Sequence, residues 1–253
     1  MRRGPADLVE FVEAPVAFSP TGPKTVLVDD ERFVARAEIG DTWAHVQRIR
    51  LAGRDVDAAV GAARSVMART GASIASWWLC ERSTPDDLEE RLLTRGLAVI
   101  EGDYLIDGLL LTSEPPPGPA GVVARETEGV EELAAAHELQ SDVFGVPPDQ
   151  RRHPDPDEWE RVYAAWIDGR VAGAGRAYFT PRGVMMAGGA TAPWARGRGA
   201  YRALVRARWN DAAARGTPVI AVHAKDTSSP ILSRLGFEKV LQFRRLQDVL
   251  SVE

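Results

Sequence analysis

An α/β fold is predicted for this chain of 253 residues, and three observations predict it. Short apolar runs suited to strands alternate along the chain with longer segments of helical period. Ser/Thr-Pro starts and glycine stops punctuate those helical segments. A break at Glu114-Pro115-Pro116-Pro117-Gly118-Pro119-Ala120-Gly121, where polyproline stiffness and glycine oppose both helix and ladder, separates two halves whose elements come in a similar order.

In the first half, residues 32–39 and 43–51 read as strands, 56–69 as a helix, 74–79 as a strand, 85–95 as a helix and 97–111 as strand material. Asp55 and Asp57 suit the N-terminus of the first helix. In the second half, 122–125 reads as a strand and 130–144 as a helix. Residues 159–167 and 171–179 form a hairpin turning at Asp168-Gly169, and an apolar strand follows from Val184. The next helix stops at Gly216. Residues 219–222 read as a buried strand, and Ser228-Ser229-Pro230 opens a short helix ending at Leu235-Gly236-Phe237.

The halves share a layout. Ile74-Ala75-Ser76-Trp77-Trp78-Leu79, Ser83-Thr84-Pro85 and Arg95-Gly96-Leu97 parallel Val219-Ile220-Ala221-Val222, Ser228-Ser229-Pro230 and Leu235-Gly236-Phe237. The competing reading is that such helix starts and stops recur in any α/β protein. The tandem reading gives an N-terminal lobe over 1–114, a Pro/Gly linker over 115–121 and a C-terminal domain over 122–253.

Composition narrows the function classes. A 45% hydrophobic and 26% charged chain is ordinary for a globular protein, and its net charge of -5 lacks the electrostatic pull that nucleic-acid binding requires. No apolar run is long enough to span a bilayer, and Met1-Arg2-Arg3 leads into mixed acidic residues, so a cytoplasmic location without membrane attachment is expected. The single cysteine, Cys80, excludes an internal disulfide and a cysteine-based metal site; no metal is expected, and burial in an apolar strand is its expected role.

The segment from Val184 to Val205 carries the chemistry. It runs from an apolar strand through a loop punctuated by Gly197 and Gly199 into a helix, the layout of an anion cradle. The loop holds no Lys-Ser or Lys-Thr pair, which argues against a P-loop nucleotide site. Arg202 stands where a dinucleotide fingerprint needs its third glycine, and the following strand ends in His223-Ala224-Lys225-Asp226, a weak match to a nicotinamide fold.

Arg196-Gly197-Arg198-Gly199-Ala200-Tyr201 resembles the acetyl-CoA loop [QR]-x-x-G-x-[GA] of the GCN5-related N-acetyltransferase (GNAT) family, departing at Tyr201, where that pattern has Gly or Ala. The Leu235-Gly236-Phe237 ending is similar to that family as well, and the likeness is most specific over 184–240. The resemblance implies two GNAT-like lobes, each a mixed, mostly antiparallel twisted sheet flanked by helices. It also implies that the cofactor strand and the next strand splay apart to admit a pantetheine arm. The first lobe would be degenerate, because its matching turn, Leu51-Ala52-Gly53-Arg54-Asp55-Val56-Asp57, puts carboxylates where phosphates need donors.

The resemblance also implies a chemistry. Acetyl-CoA is the expected co-substrate, held by Gly189, Ala190, Thr191, Arg196, Gly197, Arg198, Gly199, Ala200 and Tyr201. Backbone N–H groups at Gly189, Ala190 and Thr191 would polarise the thioester carbonyl. An acceptor amine with a pKa of about 10.4 must lose a proton before attack. His223 is the candidate base, the other reading being a hydrogen-bonded structural histidine; Asp226 either assists or caps the next helix. Family members often carry an acidic tyrosine where this chain has Leu232; Ser233 faces elsewhere on the helix, which leaves solvent or Tyr201 as proton donor.

Acceptor recognition is expected between Val130 and Tyr163, with Asp142, Arg151, Arg152, His153, Asp155, Asp157 and Glu158 as polar groups and Trp159 and Trp166 as a wall. Arg202, Arg206 and Arg208 read as a solvated basic face. The expected partner is a small-molecule amine, bound by a monomer or homodimer. The alternatives are a protein N-acetyltransferase and a non-catalytic acyl-CoA-binding regulatory module.

Overall fold

The computed structural model describes residues 6–151 and 160–250. In chain order the elements are α1 (Ala6–Glu13), α2 (Pro15–Phe18), β1 (Thr25–Asp29), β2 (Val34–Glu38), β3 (Trp43–Gln47), α3 (Val56–Thr70), β4 (Ile74–Leu79), α4 (Leu88–Leu93), β5 (Ala98–Val99), β6 (Leu105–Leu111), β7 (Val122–Glu126), α5 (Gly129–Phe144), β8 (Glu160–Ile167), β9 (Arg170–Thr180), β10 (Gly183–Thr191), α6 (Ala200–Ala214), β11 (Ile220–Ala224), α7 (Ser229–Ser233) and β12 (Glu238–Val249). They divide into two compact units. One takes Met1–Leu109, Ala224–Pro230 and Lys239–Glu253; the other takes Leu110–His223 and Ile231–Glu238.

The first unit is a mixed sheet in the order β1-β2-β3-β4-β12-β6. Only β3 and β4 run parallel among its paired registers, joined through α3, while β1, β2 and β3 form an antiparallel meander and β12 lies antiparallel to β4 with Leu246 opposite Trp77. The apolar stripe of α3 (Val56, Val60, Ala63, Met67) closes a core with Val46, Trp77, Leu79, Leu92 and Leu246. The helix ends because Gly71 adopts φ 80 and returns its N–H to the Met67 carbonyl. Arg64 on α3 grips Asp248 on β12 through two bonds of 2.7 and 2.9 Å.

The strand-to-helix turn of this unit is filled by the protein's own charges. Arg95 pairs with Asp57 at 2.5 Å, and the Arg91 guanidinium lies 3.5 Å from where a Cβ of Gly53 would stand. Cys80 is buried, as its apolar context implies, and its thiol is pushed up to about 11, first by burial and then by the Glu13 carboxylate. Glu13, 1% exposed, is neutralised by Arg50 and Arg82 at 2.7 and 2.8 Å.

The second unit is a sheet in the order β11-β10-β9-β8-β7, antiparallel except between β10 and β11. Side chains alternate across it. Val162, Ala164 and Ala174 meet Leu133 and Ala136 of α5 on one face, whereas Gly173 meets Leu204 of α6 on the other. The β8–β9 hairpin turns at Asp168 (φ 51) and Gly169 (φ 74), the left-handed pair expected of a two-residue connection.

The fold class is therefore the expected one: mixed, mostly antiparallel sheets flanked by helices. Elements differ in detail. The run 97–111 breaks into β5 and β6 around Gly102, whose φ of 76 interrupts the strand, and the helix expected over 85–95 narrows to α4.

Candidate functional site

Strand β10 parts from both neighbours at one place. Its pairing with β11 covers Val184, Met185 and Met186, and its pairing with β9 breaks after Ala187 and resumes at Ala190. Gly188 and Gly189 fill that interruption, a β-bulge. Gly188 has φ 59, and a Cβ there would stand 2.9 Å from both the Arg176 Nε and the Gln140 Nε2. Gln140, on α5 and 8% exposed, donates from Nε2 to the Gly188 carbonyl at 2.5 Å. At Gly189 the space of the missing Cβ belongs to Tyr201, whose Cε2 would be 2.6 Å away.

Downstream, Ala192 donates its N–H to the Ala172 carbonyl at 2.9 Å, and a 3₁₀ turn at Pro193–Ala195 redirects the chain. Gly197 (φ 77) and Gly199 (φ 83) then adopt left-handed backbone, and Gly199 becomes the N-cap of α6. No side chain caps the helix, so its first-turn N–H groups precede the helical ladder without a side-chain acceptor. Arg198 lies 3.5 Å from Asp168 and 5.6 Å above the Trp194 ring, with Arg170 over the same ring at 4.5 Å. Arg196 is exposed and has no ion-pair partner among the described residues.

The two loop glycines serve different ends. Gly197 faces open space on its Cβ side. Gly199 has Pro119 of the Pro/Gly segment 2.6 Å from its Cβ position, so its close approach is to the chain itself and not to a ligand. That segment is fastened to α6: Arg206 donates to the Pro115 carbonyl at 2.8 Å and pairs with Glu114.

Arg202, Arg206 and Arg208 do not form the expected solvated face. Arg208 is 1% exposed, with its guanidinium carbon 5.8 Å from the Tyr163 ring and its Nη2 2.5 Å from the Cβ position of Gly175. The glycine supplies the room, and the residue's position on the sheet-facing side of α6 puts it there. Its Nε and Nη2 lack hydrogen-bond partners among the described residues, and burial lowers its proton affinity. Tyr163 donates its hydroxyl to Asp211 at 2.5 Å, and burial raises its pKa. Tyr201 is half-buried; burial raises its pKa, while the Arg208 charge opposes the rise.

His223 is half-buried on β11, one residue beyond the last pair with β10. Tyr201 and Gly189 are thus in contact; Gly189 lies in the bulge, and Ala190 and Thr191 occupy the resumed end of β10. Leu232, at the position of the family's frequent tyrosine, is fully buried, while Ser233 is exposed.

In the expected acceptor region, Arg151 pairs with Asp142 at 2.7 Å, and Trp166 lies under Arg125, 4.6 Å from its guanidinium carbon. Arg152, His153, Asp155, Asp157, Glu158 and Trp159 lie outside the described residues. A polar cluster that the sequence pattern did not single out stands beside the bulge. Arg176 packs on Gly188 and lies 3.6 Å from Glu160, and Tyr178 donates to the same carboxylate at 2.8 Å. The available sign was their alternation on β8 and β9, which puts Glu160, Arg176 and Tyr178 on one face. Among the described residues no group of three or more His, Cys, Asp or Glu could hold a metal ion.

No protein-family profile and no curated protein matches the sequence. Solved structures do match. A GCN5-related N-acetyltransferase from Kribbella flavida is similar with a TM-score of 0.69 at 18% identity, over 96% of each chain. One from Sphaerobacter thermophilus matches with a TM-score of 0.57 at 15% identity, over 89% of this chain and 84% of that one. A tandem GNAT protein from the clavulanic acid biosynthesis pathway matches with a TM-score of 0.57 at 13% identity, over 97% and 94%. With the bulged, splayed strand and the glycine loop leading into α6, these likenesses over nearly the whole chain identify the architecture as the fold of the GCN5-related N-acetyltransferases, in an arrangement similar to a tandem member.

Proposed function

We propose that the chain is an acetyl-CoA-dependent N-acyltransferase that passes an acetyl group to a primary amine, of a small molecule, by direct attack in a ternary complex. One observation carries the reading: β10 leaves β11 after Met186, bulges away from β9 at Gly188-Gly189, and after Ala190 and Thr191 leads through a 3₁₀ turn into a basic, glycine-bent loop at the start of α6, which has 15 residues. Those residues fit the donor. The uncapped first turn of α6, at Ala200 and Tyr201, with Gly197 facing open space and Arg196 and Arg198 exposed, suits a pyrophosphate. Gly199 shapes the cradle through its φ of 83.

Acetyl-CoA supplies the activated thioester. The chain orients it through backbone groups at Gly189, Ala190 and Thr191, whose N–H groups can polarise the carbonyl oxygen. His223 takes the proton from the amine. Tyr201 returns one to the departing sulfur, a role served by a phenol that burial keeps protonated. Glu160, Arg176 and Tyr178 border the acceptor side, where a carboxylate suits a cationic amine. A single donor site per chain is proposed, because the corresponding turn of the first unit is closed by Arg91 and Arg95. The protein would act as a monomer or homodimer in the cytoplasm, without nucleic acid; no helix among the described residues is long and apolar enough to cross a membrane.

Acetyl-CoA binding by calorimetry, for the intact chain and for an Arg196→Glu/Arg198→Glu variant, tests the donor site. Both side chains are exposed, so the variant retains its fold, and a loss of at least about tenfold in affinity, about 1.4 kcal/mol, is expected. Free CoA released from acetyl-CoA in the presence of a panel of amines then tests transfer. Tight binding without release to any amine favours the non-catalytic acyl-CoA module, a reading to which the buried Leu232 lends weight.

A further inference from the structure

We infer that Gln140 is a positioning residue for the acyl transfer, aiming the Gly189 N–H at the thioester carbonyl; the inference rests on the donor site proposed above. Gln140 lies in the last turn and a half of α5, a helix of 16 residues closed at Gly145 (φ 68) by two returning hydrogen bonds, so its amide is carried on a fixed element. The side chain is 8% exposed, and a buried amide at that depth is costly unless bonded. Its Nε2 donates to the Gly188 carbonyl at 2.5 Å; the partner is an acceptor, so the NH₂ end of the amide must face it.

The bond reaches the one stretch of β10 that neither flanking ladder holds in register. The Gly188–Gly189 peptide is trans, so its C=O and N–H point in opposite directions. Fixing the Gly188 oxygen against Gln140 therefore fixes the Gly189 N–H pointing away from Gln140. Two further contacts hold the same peptide: Arg176 packs where a Cβ of Gly188 would be, and the Tyr201 ring does so at Gly189. Without the Gln140 donor only those two packing contacts restrain the peptide, because two adjacent glycines impose little torsional restraint of their own. A hydrogen-bond donor stabilises developing oxyanion charge only when it is aimed beforehand.

The test uses the full chain and acetyl-CoA labelled with carbon-13 at the acetyl carbonyl, followed by isotope-edited infrared spectroscopy. Bound to the unmutated protein, the carbonyl stretch is expected below its value for free acetyl-CoA. In Gln140→Met, which keeps length and removes the donor, it is expected to return toward the free value while the dissociation constant changes by less than about threefold. With an accepted amine, kcat falls by about tenfold to a hundredfold and KM for acetyl-CoA holds, a smaller loss than complete removal of an oxyanion donor. A purely structural role would weaken binding and lower the thermal midpoint without a selective change in the carbonyl band.

An unchanged band shift in a folded Gln140→Met protein overturns the inference and leaves the donor site standing. Failure of the unmutated protein to bind acetyl-CoA overturns the donor site, and the inference with it. If the variant does not fold, the unmutated chain with nitrogen-15 glycine decides: the Gly189 amide resonance is expected to move with acetyl-CoA and not with CoA, and equal movement with both overturns the inference.

Discussion

Arg208 brings a positive charge into the interior of the second unit beside an aromatic ring, with no ion-pair partner among the described residues. Two of its nitrogens have no hydrogen-bond partner among those residues, and the Tyr163 face lies 5.8 Å from the guanidinium carbon. A desolvated cation over a ring recovers about 2 kcal/mol, less than the several kcal/mol that removing an ion from water costs. Even a buried ion pair is often replaced by apolar side chains of similar size with a neutral effect or a gain of about 1–4 kcal/mol, and Arg208 has no counter-charge among the described residues to lose. Arg208→Met is therefore expected to keep or raise the thermal midpoint in calorimetry. A clear fall would show that the ring and the nearby phenols outweigh the desolvation. The variant also removes the charge that opposes the rise in Tyr201's pKa, so that phenol should titrate at higher pH than in the unmutated chain.

The contact between strand β10 and helix α6 is set by an absent atom. Gly189 leaves the space that the Tyr201 ring occupies, and a Cβ there would stand 2.6 Å from Cε2. Inserting a methyl group into such a contact costs about 1–3 kcal/mol. Gly189→Ala should lower the midpoint accordingly, and the loss should shrink in a Tyr201→Ala background; a double-mutant cycle with no coupling above about 0.5 kcal/mol would mean the strand adjusts instead. At this scale much was legible in the sequence. The glycine loop, the helix it starts and the Asp168-Gly169 hairpin all follow from local backbone chemistry, which acts over a few residues. The role of Gly199 was not legible, since its neighbour Pro119 is brought in by folding. Arg208 was hidden for the same reason: its burial depends on Gly175, far earlier in the chain. The bond from Gln140 to Gly188 spans a separation of 48 residues, and no periodicity encodes it.

Strand β12 completes the first unit, because in that unit's sheet it stands between β4 and β6 although it is the last element in sequence. The sequence pattern hides it because Arg244, Arg245 and Asp248 interrupt its apolar run. Those charges are satisfied in place: Arg245 reaches Asp103 at 3.1 Å, Arg244 reaches Glu89 at 2.8 Å and Arg64 holds Asp248. Between them, Leu241, Phe243 and Leu246 are at most 2% exposed, and Phe243 meets Trp78 edge-on with ring centroids 5.7 Å apart. Burying three such side chains contributes about 1.5–3 kcal/mol each, which together approaches the whole stability of a typical domain, about 5–15 kcal/mol. Loss of the strand also unpairs the backbone of β4 on that side. A chain ending at Gly236 is therefore expected to lose the first unit, with cleavage by a dilute protease concentrated before Leu109 and the cooperative melt of that unit missing. A truncated chain that melts and resists cleavage like the full one would mean that β4 and β6 reach a stable sheet without β12.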